Sequence, residues 1–190
     1  MKATFALLVS SEVHNAVRRL AWRWHRRYGL GTIAARLPPH TSLKQPFAVE
    51  DLDALRDYMA EFAMSIVPFV VRFTEVRLIP TTLDGHEVGI LWLDVEESVE
   101  LRELHNRLNE ELRDRFGSVE APFDGAAYHF HLTVAMGGAS LGTYRRLYSE
   151  LADPTLNLRF TARELAMFVY DEPMGPQADF LDYCHLRLGA

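Results

Sequence analysis

The sequence predicts an α+β fold made of two similar lobes. Three observations carry that prediction. Along the whole chain, hydrophobic periodicity alternates between the two-residue step of a strand and the three-to-four-residue step of a helix. No low-complexity segment or long linker interrupts the alternation. A strand–helix–strand unit occurs twice, and each time its last strand carries a histidine at the same station. A chain of 190 residues, 48% apolar and 24% charged, suits one domain with a core of useful size.

The elements follow in order. Residues 4–9 read as a buried strand. Ser11 can cap the next helix, whose Val13, Val17, Leu20, Trp24 and Tyr28 form one apolar face, and Gly29 and Gly31 end it. Residues 36–44 read as a strand entered through Pro38-Pro39. A second helix, 50–64, turns Leu52, Leu55, Met59 and Phe62 inward. The β-branched and aromatic run 67–79 reads as one long strand, Asp84-Gly85 as a turn, and 88–95 as the next strand. Ser98 opens an amphipathic helix marked by Leu101, Leu104, Leu108, Leu112 and Phe116 and closed by Gly117. A strand at 127–136, a helix at 141–151 and strands at 156–170 and 180–188 complete the chain.

The net charge is −6. Non-specific coating of nucleic acid needs cations to replace counterions, so that class is set aside, duplex nucleic acid included. Any phosphate must be met by a few local groups. Cys184 is a lone cysteine, so no internal disulfide forms, and it reads as inert. The apolar run 5–9 lacks the flanks of a signal peptide, and no eighteen-residue apolar stretch occurs; the expectation is a cytoplasmic monomer with no membrane partner.

The repeated units are 4–44 and 88–136. Their third elements contain Pro39-His40-Thr41-Ser42-Leu43-Lys44 and Phe130-His131-Leu132-Thr133-Val134. Side chains two apart on a strand share a face, so His40, Ser42 and Lys44 point together, as do His129, His131 and Thr133. If the units pack about an approximate two-fold axis, the two His-x-hydroxyl pairs meet across a groove. One imidazole there can accept a proton while the other delivers one to a leaving oxygen. The hydroxyls can bind non-bridging phosphate oxygens, and Lys44 can add local positive charge.

At these residues the chain resembles the 2H phosphoesterases, which include 2′-5′ RNA ligase-like proteins and cyclic phosphodiesterases. The resemblance rests on His40-Thr41-Ser42-Leu43 and His131-Leu132-Thr133-Val134 and spans nearly the whole chain. It implies a bilobal fold with two antiparallel sheets around a central groove and helices outside. It also implies cofactor- and metal-independent catalysis by His40 and His131, with Ser42 and Thr133 holding the phosphate. Substrates of such proteins are small cyclic or 2′-5′ phosphodiesters and RNA ends. The first motif has Ser where Thr is commoner. The second is followed by Ala135-Met136-Gly137, without the basic residue that some nucleotide-acting members carry.

Other readings of the same residues are a non-catalytic binder of RNA or phosphorylated ligands, and a metal site of His129 and His131 completed by His86, Glu87 or His185. His129 can line the groove or support His131. Tyr170 and Phe5 are candidates to stack on a base. Arg72 and Arg77, five apart, point to opposite faces of a regular strand, so only one can look into a shared cleft. Arg18, Arg19, Arg23, Arg26 and Arg27 form the outer face of the first helix, solvated by default.

Overall fold

The computed structural model describes residues 1–151, 155–170 and 180–189. The first sheet has the order β2 (His40–Ser42), β1 (Lys2–Leu8), β8 (Glu164–Tyr170), β9 (Phe180–Arg187), with the short β3 (Phe47–Ala48) on the start of β1. The second has the order β6 (His131–Met136), β5 (His86–Val95), β4 (Phe69–Leu83), β7 (Thr155–Ala162). All these pairings are antiparallel. The predicted α+β architecture of two antiparallel sheets is the observed one.

The helices cover the sheets with a crossover. α1 (Ser11–Tyr28) leaves β1 of the first sheet and packs against β6 and β7 of the second, beside α4 (Leu141–Ser149), which lies on β4 and β5. α2 (Leu52–Met64) covers β8 and β9 of the first sheet. α3 (Val99–Phe116), which follows β5 of the second sheet, packs on α2: Phe116 meets Tyr58, and Arg107 and Arg115 lie over Phe62 and Tyr58. One continuous core joins the two lobes, from Phe5, Leu7 and Met167 to Leu91, Leu93 and Leu132.

Several sequence expectations shift. The cap of α1 is Ser10, whose hydroxyl accepts from the Val13 amide; Ser11 is the first helical residue. The strand expected at 36–44 is only His40–Ser42, preceded by a 3-10 turn at Ile33–Ala35, because the chain bends at Leu43 and Lys44. The stretch 156–170 is two strands in different sheets, broken at Arg163, where the chain passes from one sheet to the other. Asp84 and Gly85, with φ of 50° and 77°, make the turn expected between β4 and β5.

The two motif strands, β2 and β6, are the outer strands of their sheets and lie against each other. The seam beside them is a backbone contact: Gly31 N–H donates to Gly137 O at 2.7 Å, and Thr32 bridges Met136 in parallel. A Cβ on Gly31 would sit 2.3 Å from the Met136 oxygen, and one on Gly138 2.4 Å from the Gly31 nitrogen. Glycine is therefore required here for close approach, beyond any role in ending α1.

Candidate active site

His40 stands opposite Leu8, and Ser42 opposite Ala6, on the groove face of the first sheet. On the second, His131 stands opposite Asp94 and Thr133 opposite Trp92. Residues of the other parity, Leu91, Leu93, Leu132 and Val134, are buried in the core. All four motif side chains are half-buried.

Each motif histidine is held in the same way. His40 Nδ1 lies 2.8 Å from Pro38 O, and His131 Nδ1 lies 2.9 Å from His129 O, the carbonyl two residues earlier in both cases. A carbonyl only accepts, so Nδ1 bears the hydrogen and Nε2 is left to exchange a proton. The rings are also packed: His40 against Phe168 at 4.8 Å between centroids, His131 stacked on Trp92 at 4.1 Å. Burial pushes the pKa of both below the usual histidine value. The backbone bond opposes this in each, and the charge of His131 depresses His40 further. For His131, the Asp94 carboxylate pulls the other way. Among the described residues, the Ser42 and Thr133 hydroxyls have no protein hydrogen-bond partner, which leaves them open to a ligand.

His129 serves His131 through its carbonyl. Its own Nε2 meets Asp94, and its ring stacks on Trp92 at 5.4 Å. Asp94 also receives Arg77 Nε at 3.1 Å. Among the described residues, no three His, Cys, Asp or Glu side chains converge as metal ligands would. Arg72 and Arg77 share the groove face, contrary to the regular-strand expectation, because β4 carries a bulge between Phe73 and Val76.

Two substrate-binding expectations are corrected. Lys44 does not share a face with His40 and Ser42. Past the bend its side chain is wholly buried and its ammonium pairs with Asp124. Phe5 is also wholly buried, stacked on Phe47 and edge-on to Tyr58, because odd residues of β1 face the core. Tyr170 does lie on the groove face, half-buried beside an apolar patch of Ala6, Leu8, Ala166 and Phe168, and burial raises its pKa.

The segment after the first motif is strapped to the segment before the second. Tyr128 donates to Ser42 O at 3.0 Å. Buried His105 of α3 donates from Nδ1 to Leu43 O at 2.7 Å and accepts from Gly125 N at 3.0 Å through Nε2. Asp124 holds Lys44 and the Gln45 amide. Arg102 ties down the carbonyls of Gly125 and Tyr128. Sequence reasoning missed Trp92, Asp94, His105, Asp124 and Tyr128. Only the placement of His105 among the buried leucines of α3 gave any local signal.

Comparison with known proteins agrees with this geometry. The 2′-5′ RNA ligase superfamily profile matches residues 9–173. A protein of Staphylococcus aureus (strain JH1) named "Putative phosphoesterase" is 25% identical over 169 residues, 88% of this chain and 89% of its own. The structure of TT0787 of Thermus thermophilus superposes with a TM-score of 0.66 at 18% identity, covering 99% of both chains. That of Escherichia coli LigT complexed with 3′-AMP gives 0.62 at 15%, covering 98% of this chain and 97% of that one. No helix among the described residues is long and apolar enough to cross a membrane. With both motifs on facing strands and the profile matched over most of its length, the chain belongs to the 2′-5′ RNA ligase superfamily of 2H phosphoesterases.

Proposed function

We propose that the protein opens or forms a cyclic or 2′-5′ phosphodiester of a nucleotide, RNA end or sugar phosphate, with His40 and His131 as the acid–base pair. The observation that carries this reading is the matched tethering of the two imidazoles. Each has Nδ1 spent on a carbonyl and Nε2 free, and they stand on strands that lie against each other. With one ring neutral and one protonated, a proton leaves the attacking oxygen as another reaches the leaving oxygen. Ser42 and Thr133 are the donors to the non-bridging oxygens as charge grows there. Tyr170, half-buried on the groove face, gives a base or sugar face a place to rest. A nucleotide ligand also accords with Escherichia coli LigT, which has been solved with 3′-AMP and with ATP.

The test is a panel of 2′,3′-cyclic nucleotides, ADP-ribose cyclic phosphate, other cyclic sugar phosphates and 2′-5′ oligonucleotides, assayed with EDTA present. His40→Ala or His131→Ala should each lower turnover by about 10²–10⁴-fold while leaving the fold intact. Full turnover in both variants on every accepted substrate would refute the assignment. Ligand-induced stabilisation without any turnover would make the groove a binding site alone.

A further inference from the structure

We infer that Arg18 of α1 is a further substrate-binding residue: one nitrogen of its guanidinium anchors the segment that carries His40, and the rest of the fork meets the phosphodiester beside that histidine. This rests on the proposed function for the identity of the ligand. The placement of the cation stands on separate observations.

Arg18 departs from the other arginines of its helix. Arg19, Arg23, Arg26 and Arg27 are exposed, as a solvated outer face requires, whereas Arg18 is half-buried. Its Nη2 donates to Leu37 O at 2.6 Å. Leu37 packs on the apolar patch of Ala6, Leu8, Ala166 and Phe168, and Phe168 in turn packs on His40. The next carbonyl along the chain, that of Pro38, holds His40 Nδ1. A helix that packs on β6 of the second sheet thus sends one side chain to the segment entering the first motif.

The charge of Arg18 is uncompensated. Among the described residues, Arg18, Arg102 and Arg107 are the half-buried arginines. Arg102 holds Glu97 at 2.6 Å and Arg107 lies 3.8 Å from Glu111, but no carboxylate meets Arg18, and burial sets its pKa below the usual arginine value. Exposed arginines without a carboxylate keep their water; Arg18 has given up part of its own. The groups that feel its charge are His14, one turn earlier on α1, and His40, and the pKa of each is depressed by it. An imidazole cannot neutralise a guanidinium. Taking a cation out of water without a counter-charge costs free energy, and an anion bound against it offsets that cost.

The proposed reaction gathers negative charge between His40 and His131. Lys44, the cation expected there, is buried on Asp124, and Arg77 is held by Glu75 and Asp94. Of the lysines and arginines among the described residues, Arg18 is the one whose charge bears on a motif histidine; His131 instead feels His129 and Asp94. The Leu37 carbonyl uses one donor of a planar fork that has several, so donors remain for the non-bridging oxygens that Ser42 also serves. The same bond fixes the direction of the fork before any ligand arrives.

The experiment follows the ring signals of His40 by nuclear magnetic resonance, at fixed pH and ionic strength, as inorganic phosphate is added to the wild type, Arg18→Gln and Arg18→Lys. Both substitutions keep a good helix former at this position. Phosphate should move the wild-type signal to saturation. Its dissociation constant should rise about ten- to a hundredfold in Arg18→Gln, with Arg18→Lys, which keeps the charge without the fork, between the two. On any substrate of the panel that is turned over, kcat/KM should fall by a similar factor in Arg18→Gln. A side chain that only braces Leu37 would lower the thermal midpoint and leave phosphate affinity unchanged, and that result would overturn the inference. So would a wild-type His40 signal indifferent to phosphate, or an unchanged kcat/KM in Arg18→Gln. If the phosphate response requires Arg18 but no substrate is turned over, the anion contact stands and the catalytic reading falls. If turnover is found and the response does not need Arg18, the catalytic reading stands and the inference falls.

Discussion

Replacing Lys44 by Met separates two roles for this residue, a cation in the groove or a strut beneath it. Lys44 has no exposed surface, its ammonium pairs with Asp124, and it lies 5.3 Å from the Phe47 ring centroid. Removing one partner of a buried ion pair costs about 3–5 kcal/mol, mostly because the other charge stays behind. Asp124 keeps amide bonds from Ala121 at 3.1 Å and Gln45 at 3.3 Å, and its side chain is 13% exposed. The cost then falls at the lower end, about 3 kcal/mol, which lowers the thermal midpoint of a chain this size by roughly 6–12 °C. Adding Asp124→Leu should recover much of the loss, since the stranded charge is gone. The assay is thermal denaturation followed by circular dichroism, with steady-state kinetics below the transition. KM should stay within about threefold of wild type. A Lys44→Met protein with unchanged midpoint and a KM raised more than about tenfold would show the ammonium reaching substrate, and the strut would be refuted.

Asp94→Asn removes the carboxylate that raises the His131 pKa, so one limb of a bell-shaped kcat/KM profile should move to lower pH. If the acidic limb moves, His131 is the base; if the alkaline limb moves, it is the acid. No movement of either limb would detach Asp94 from the catalytic pair. Gly31→Ala forces a Cβ against the Met136 carbonyl and should cost about 1–3 kcal/mol, with activity falling further than stability; unaltered activity would show that the seam does not set the site. His40, His105 and His131 all have folded pKa values below the unfolded value of about 6.5. Unfolded chains then bind more protons as pH drops. Stability present above about pH 6.5 is lost as pH falls through the folded values, and urea midpoints at pH 8 and pH 5 check this.

Local pattern made most elements legible. The apolar faces of α1, α2 and α3, the Asp84-Gly85 turn and the alternation through Leu132 and Val134 are properties of neighbours in sequence, and each was found where expected. The His-x-hydroxyl pairs were legible because they repeat. Lys44 and Arg72 misled because strand alternation was extended through a bend and a bulge, which depend on partners far along the chain. Residues 156–170 read as one strand because Arg163 carries no turn signal, although the chain changes sheets there. Asp94, Asp124 and Tyr128 matter through contacts 35, 80 and 86 positions away, a distance at which a single sequence offers no periodicity to follow.

Because α1 and α3 each grow from one lobe and cover the other, neither half can be peeled off without stripping a helix from its neighbour. Truncation between residues 84 and 86 should therefore yield two sticky fragments rather than two miniature domains, and mixing them should restore the whole.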